Sequence, residues 1–176
     1  NNDKVGVIFF SDKIEKFIPP KKGRKHILLI IREIINFEPD NKATNIDCAL
    51  HFMTEAIKKK CAAFLISDFI DDGDYSKSMT IANRKHDLTA IQVYDKRDSK
   101  MPDVGLVRVV DSETGKEMWI DTSSKRVRQL YDKAWYERQQ RLYSITAKSG
   151  VDIASVATDE DYVKSLLGLF KKRSIH

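Results

Sequence analysis

The sequence predicts one α/β domain over residues 1–176, a three-layer sandwich with a mainly parallel central sheet and flanking helices. Three observations predict it. The run Cys61-Ala-Ala-Phe-Leu-Ile-Ser-Asp68 is apolar almost throughout, as in strands that helices cover on both faces. Strand patterns alternate with segments of helical spacing along most of the chain, the order that builds parallel sheets. No internal repeat or low-complexity stretch interrupts this alternation. Ligands of such sheets bind beyond the carboxyl ends of the strands. Asp68, followed by Asp71, Asp72 and Asp74, therefore stands where an open α/β domain does its chemistry.

The elements follow in order. Val5-Gly-Val-Ile-Phe-Phe10 reads as a strand ending at Ser11-Asp12, and Lys16-Phe-Ile18 as a short strand closed by Pro19-Pro20. The interval between them suits a hairpin. Gly23-Arg24 opens a helix that ends before Pro39, with Ile27, Ile30, Ile31 and Ile34 as its apolar stripe and Leu28, Leu29 and Ile35 widening it. Thr44 is the expected N-cap of the next helix, with Asp47 three residues on. Ile46, Ala49, Leu50, Met53 and Ile57 mark its buried face. The Asp68 strand comes next, then a helix from Tyr75 to His86, then Leu88-Thr-Ala-Ile-Gln-Val-Tyr94, a strand ending at Asp95. Residues 105–121 read as a β-hairpin turning at Asp111-Ser-Glu-Thr-Gly115. Ser123 or Ser124 caps a long helix that carries Val127, Leu130, Tyr131, Ala134, Leu142 and Ile145, and Gly150 terminates it. A last strand, Val151-Asp-Ile-Ala-Ser-Val156, leads past Asp159 to a helix with Tyr162, Val163, Leu166, Leu167 and Phe170 facing inward.

Composition narrows the function classes. Hydrophobic residues make up 41% and charged residues 32%, a soluble, globular balance with no apolar run long enough to span a bilayer. No signal peptide is visible, and Cys48 and Cys61 read as buried free thiols, so the expected location is cytoplasmic. The net charge is +5, with basic clusters at Lys21 to Lys25, Lys58 to Lys60, Lys125 to Arg128 and Lys171 to Arg173. Two of these clusters sit at helix ends, where they favour the dipole. No aromatic-rich nucleic-acid motif accompanies them, so nucleic acid is not the expected partner.

Asp12, Asp68, Asp95 and Asp159 all stand at or just after strand ends, and Thr44 opens a helix at the same edge. Carboxylate, hydroxyl and water oxygens are the ligand set of magnesium. An aspartate after a strand is equally a turn former or helix cap. His51 shares a helix face with Asp47, one helical turn away, but no serine or cysteine nucleophile is placed to match them. His26, His86 and His176 lack partners, and the seven glycines form no phosphate-binding loop. No catalytic residue is expected.

These residues resemble a family. Val5-Gly-Val-Ile-Phe-Phe-Ser-Asp-Lys-Ile-Glu-Lys-Phe-Ile-Pro19 resembles the second and third strands of a von Willebrand factor A domain, a Rossmann-like fold. Ala43-Thr44-Asn-Ile-Asp-Cys-Ala-Leu50 is similar to the segment that carries that fold's metal-binding threonine, and Leu65-Ile-Ser-Asp68-Phe to the strand end that carries its metal-binding aspartate. Ser67-Asp68-Phe69 with the hairpin Val109-Val-Asp-Ser-Glu-Thr-Gly-Lys-Glu117 narrows the resemblance to the bacterial domain-of-unknown-function family number 58.

The resemblance implies a metal-ion-dependent adhesion site with Thr44 and Asp68 as ligands and Mg²⁺ as the ion. The Asp-x-Ser-x-Ser motif that follows the first strand of such a site is expected to be missing, because the chain opens just before the second strand. The first strand is central in that fold, with strand order 3-2-1-4-5-6. A chain without it is expected to close its sheet differently or to borrow pairing from another chain. The implied function is a non-catalytic protein-interaction module, an adaptor working with a MoxR-type AAA+ ATPase and other A-domain proteins in protein assembly or stress tolerance. The alternatives are a metal-dependent phosphohydrolase using Asp68 with Asp71, Asp72 or Asp74, and nucleic-acid binding through the basic clusters.

Overall fold

The computed structural model describes residues 3–41, 43–110 and 115–173. Hairpin turn residues 111–114 and His176 lie outside the described residues. Strands β1 (Val5–Phe10) and β2 (Ile14–Lys21) form an antiparallel hairpin. The prolines do not close β2, as the sequence reading expected, but lie within it. Val5 pairs with Lys21 and Val7 with Ile18, so β2 carries one extra residue over the Pro19-Pro20 step. A bulge of this kind accommodates residues that lack an N–H. Gly6 makes room for it: a Cβ there would meet Ile18 O and Pro20 N at 2.8 Å each.

Helices α1 (Arg24–Asn36) and α2 (Ile46–Ala56) precede β3 (Ala62–Ser67), α3 (Ser76–Lys85) and β4 (Asp87–Tyr94). A single-turn helix, α4 (Lys96–Ser99), leads to the predicted hairpin, β5 (Leu106–Val110) and β6 (Glu117–Asp121), which pairs antiparallel. The long helix α5 (Lys125–Lys148), strand β7 (Asp152–Ala157) and helix α6 (Tyr162–Arg173) complete the chain. The central sheet is parallel, in the order β3-β4-β7. The hairpins β1-β2 and β5-β6 are separate sheets, so among the described residues no ladder joins β1 to β3.

Side chains alternate across strands, which sorts the layers. Leu65 on β3 and Leu88 and Ala90 on β4 face a core built with Ile46 and Leu50 of α2, Tyr75 just before α3, Met79 of α3, and Leu142 and Ile145 of α5. Phe10 of β1 packs against the same core, so both sheets share it. On the opposite face α6 packs along β7 through Leu169, and Phe170 meets Phe64 edge-on at 6.3 Å between ring centres.

Several expected burials fail, mainly where no element among the described residues covers the apolar face. The α1 stripe buries Ile30, while Leu28, Leu29, Ile31, Ile34 and Ile35 are exposed. On β3, Phe64 and Ile66 are exposed, so the strand is covered on one face only. On α6, Tyr162, Val163 and Leu167 are exposed, Phe170 is partly exposed against Phe64, and Leu169 is the buried residue. Leu130 is exposed because only the C-terminal half of α5 reaches the core, at Leu142, Ile145 and Thr146. The cysteines are free, as expected, but not buried: Cys48 is half-buried and Cys61 exposed.

Candidate metal-binding edge

Asp68 follows the last residue of β3, and its carboxylate is exposed at the carboxyl edge of the sheet. Its Oδ1 accepts the Ile70 N–H at 3.1 Å and the Ser67 hydroxyl at 3.4 Å, and the Gln92 amide donates to its carbonyl at 3.4 Å. Phe69 takes a left-handed backbone, φ 60°, yet is buried in the core. That conformation costs a non-glycine residue about 1–2 kcal/mol, and burying a phenyl ring offsets it with about 2–3 kcal/mol. Phe69 thus drives the turn that leaves its neighbour Asp68 at the surface.

Thr44 is half-buried two residues before α2. It is not the N-cap, contrary to the sequence expectation. Asn45 takes that position: its side chain accepts the Cys48 N–H at 2.9 Å from an extended backbone. Two further bonds fix this corner. Asn45 N–H donates to Ser11 O at the end of β1, at 2.8 Å, and Ile46 N–H donates to Asp71 Oδ2 in the loop after β3, at 2.7 Å. The start of α2 therefore ties the ends of both sheets together, and the segments bearing Thr44 and Asp68 meet at one edge.

The other acids at this edge have structural duties. Asp71 caps α2 with one oxygen and accepts the Gly73 N–H with the other, at 2.7 Å. Asp74 Oδ1 accepts the Ser76 hydroxyl at 2.6 Å and the Ser76 N–H at 3.0 Å, and these bonds hold its carboxyl below the usual range. Burial pushes Tyr75 beside it up to about 12, so its phenol stays neutral. Asp95 caps α4 in a reciprocal arrangement with Asp98 and pairs with Arg97, while Asp159 pairs with Lys96 at 3.2 Å. Asp12 accepts from Ser11 and from Asn41.

The Asp-x-Ser-x-Ser spelling, expected to be missing, does occur once, at Asp74-Tyr-Ser76-Lys-Ser78. It follows β3 and opens α3, and each of its three side chains is engaged in a hydrogen bond. Asp74 and Ser76 bind each other, and Ser78 donates to Asp47. The same Asp47 lies 3.8 Å from His51, which is exposed, as a surface residue should be. Among the described residues, no three histidine, cysteine, aspartate or glutamate side chains gather closely enough to hold a metal ion.

Arg141 is the residue the sequence reading missed. Its guanidinium donates to Asp71 O at 3.2 Å, to Asp72 O at 3.1 Å and to Gly73 O. Main-chain carbonyls leave no trace in a sequence pattern, so nothing in the sequence marked this arginine.

Residues 1–141 match the family model described as Protein of unknown function DUF58. The chain belongs to the DUF58 family. This DUF58 chain is 25% identical over 160 residues to an uncharacterized protein of Mycobacterium avium, covering 89% of the chain and 93% of the relative. It is 23% identical over 175 residues to an uncharacterized protein of Mycobacterium tuberculosis, covering 97% of the chain but 54% of that relative. The DUF58 chain thus spans most of one curated relative and about half of the other. Its fold is similar to that of the conserved hypothetical protein BatB from Bacteroides thetaiotaomicron, with a TM-score of 0.61, 16% identity, and coverage of 100% of this chain and 82% of that one. An aerotolerance-related membrane protein from Bacteroides fragilis has a TM-score of 0.57 at 13% identity, covering 98% of this chain and 81% of its own. Among the described residues of the DUF58 chain, no helix is long and apolar enough to cross a membrane.

Proposed function

We propose that this chain is a von Willebrand factor A-like, non-catalytic protein-interaction module whose partner docks at the Thr44–Asp68 edge. The observation that carries this reading is the Ile46 N–H bond to Asp71 Oδ2, which locks the Thr44 and Asp68 segments side by side. The donor chemistry suits Mg²⁺: a hydroxyl and a carboxylate are hard oxygen ligands, and magnesium keeps several waters beside few protein ligands. A bound Mg²⁺ would supply an open coordination position for a partner's carboxylate. The chain's own part is to hold Thr44 and Asp68 in place through Asn45, Asp71 and Arg141.

The phosphohydrolase alternative has less support. Asp71 spends both oxygens on N–H donors and Asp74 commits Oδ1 to Ser76, which makes them poorer metal ligands or bases than free carboxylates. Among the described residues β1 pairs with β2 alone and β3 with β4 alone, which supports an A-like reading in which another strand pairs at those edges. A MoxR-type AAA+ ATPase and other A-domain proteins are the proposed partners, on the cytoplasmic side, in assembly or stress tolerance. The aerotolerance named for one structural relative supports the stress reading.

Calorimetric titration with MgCl₂ tests the site. Asp68→Ala should abolish the binding isotherm, and Thr44→Ala should weaken it about tenfold, roughly 1.4 kcal/mol. Equal affinity in the parent and both variants would remove the adhesion-site reading.

A further inference from the structure

The opposite edge of the sheet holds a second group of reactive side chains. Ala62 pairs with Asp87 at the start of the β3–β4 ladder, so Cys61 and His86 occupy the register position just before it. Asp87 N–H donates to Cys61 O at 2.9 Å and fixes that register. Parallel pairing then puts both side chains on one face, and Cys61 Sγ lies 3.4 Å from His86 Nδ1. The thiol is exposed, whereas the imidazole is 1% exposed.

The imidazole is strained for partners. Its Nε2 is buried without a hydrogen bond. If Nδ1 accepts from the thiol, Nε2–H lacks an acceptor; if Nδ1 carries the proton, Nε2 lacks a donor. Either tautomer leaves one buried nitrogen unsatisfied, a cost of about 1–3 kcal/mol. The thiol is thus the only hydrogen-bond partner of the His86 imidazole among the described residues. Burial lifts the Cys61 thiol, and burial with the Lys85 charge lowers His86, so the resting pair is neutral. Lys58, Lys59 and Lys60 are exposed immediately before the thiol, a basic approach for an anionic reagent.

We propose that Cys61 is a site of reversible mixed-disulfide formation with anionic low-molecular-weight disulfides, and that His86 takes up its proton. The Cys61 S–H proton passes to His86 Nδ1, and the thiolate attacks one sulfur of the reagent. The reagent's S–S bond breaks, a new one forms to Cys61, and the departing thiolate collects the proton from the imidazolium. A second thiol reverses the exchange.

Oxidised glutathione is the probe, with adduct formation on the intact chain followed by mass spectrometry across pH. In a Cys48→Ser background the adduct should persist, and Cys61→Ser should remove it. With internal proton transfer, the rate should level off below about pH 7 over the range in which His86 is still neutral and fall again once the imidazole is protonated, whereas ordinary thiolate chemistry falls about tenfold per pH unit throughout below the thiol pKa. His86→Gln should restore that fall, react about tenfold more slowly near pH 6, and match the parent above about pH 10, where the thiol ionises unaided. A parent rate that never levels off overturns the proposal without recourse to the variant. So does a His86→Gln deficit of equal size at every pH, which would mean altered access rather than proton transfer, and so does an adduct carried on Cys48.

Discussion

Arg141 acts at the scale of a single residue on the loop that presents Asp68. One guanidinium serves three carbonyls, of Asp71, Asp72 and Gly73, and its planar fork suits that geometry better than an ammonium would. Arg141→Ala should lower stability by about 1.5–3 kcal/mol, the usual worth of charged hydrogen bonds. Amides of residues 69–73 should then exchange with solvent much faster than those of β4. Arg141→Lys should recover only part of the loss, and full protection in either variant would show that the loop holds itself. The sequence singles out Asp68 because it follows a recognisable strand pattern, and Thr44 because it precedes a recognisable helix pattern. It suggests Thr44 as the cap, since Thr44 and Asn45 are both capping residues and only backbone geometry chooses between them. It does not mark Arg141, because the guanidinium binds main chain 70 residues away in sequence.

At the scale of elements, local rules set the boundaries well. Gly150, with φ 66°, ends α5 in a Schellman motif: its N–H donates to Ala147 O and the Val151 N–H to Thr146 O. The site has room for a side chain, because an added Cβ would lie 3.5 Å from Asn83 Nδ2, an ordinary contact. Gly150→Ala should therefore cost only the backbone strain, about 1–2 kcal/mol, read as a lower midpoint in urea with an unchanged slope. A neutral result would mean that the helix end re-forms without the motif. The hairpin over β5 and β6 and the strands that end at Ser67 and Tyr94 follow the same local logic of alternation and turn residues. Pro19 and Pro20 broke it, because an edge strand with a bulge tolerates prolines that a central strand would reject.

For the whole molecule, the main feature is what the sheets leave uncovered. Leu28, Leu29, Ile31, Ile34 and Ile35 of α1, and Phe64 and Ile66 of β3, are exposed despite sequence patterns that call for burial. Large exposed apolar surface binds dyes and promotes association. The chain should therefore bind 8-anilinonaphthalene-1-sulfonate in its folded state and associate with rising concentration. Ile34→Lys with Ile35→Lys should reduce both effects while leaving the thermal midpoint within a few degrees, since neither residue is buried. A midpoint lowered by about 10 °C would show that these side chains are packed in solution.

The sequence by itself determined the α/β class, the parallel strands and the N-terminal hairpin. These depend on periodicity and on residues adjacent along the chain, and both are local. Only the tertiary structure decided which apolar faces find a partner, that Asp71 caps α2, that Arg141 clamps the Asp68 loop, and that Cys61 lies against His86. Each of those depends on strand register or on contacts between distant segments, and a hydrophobic pattern states that a face should be buried without saying what will bury it.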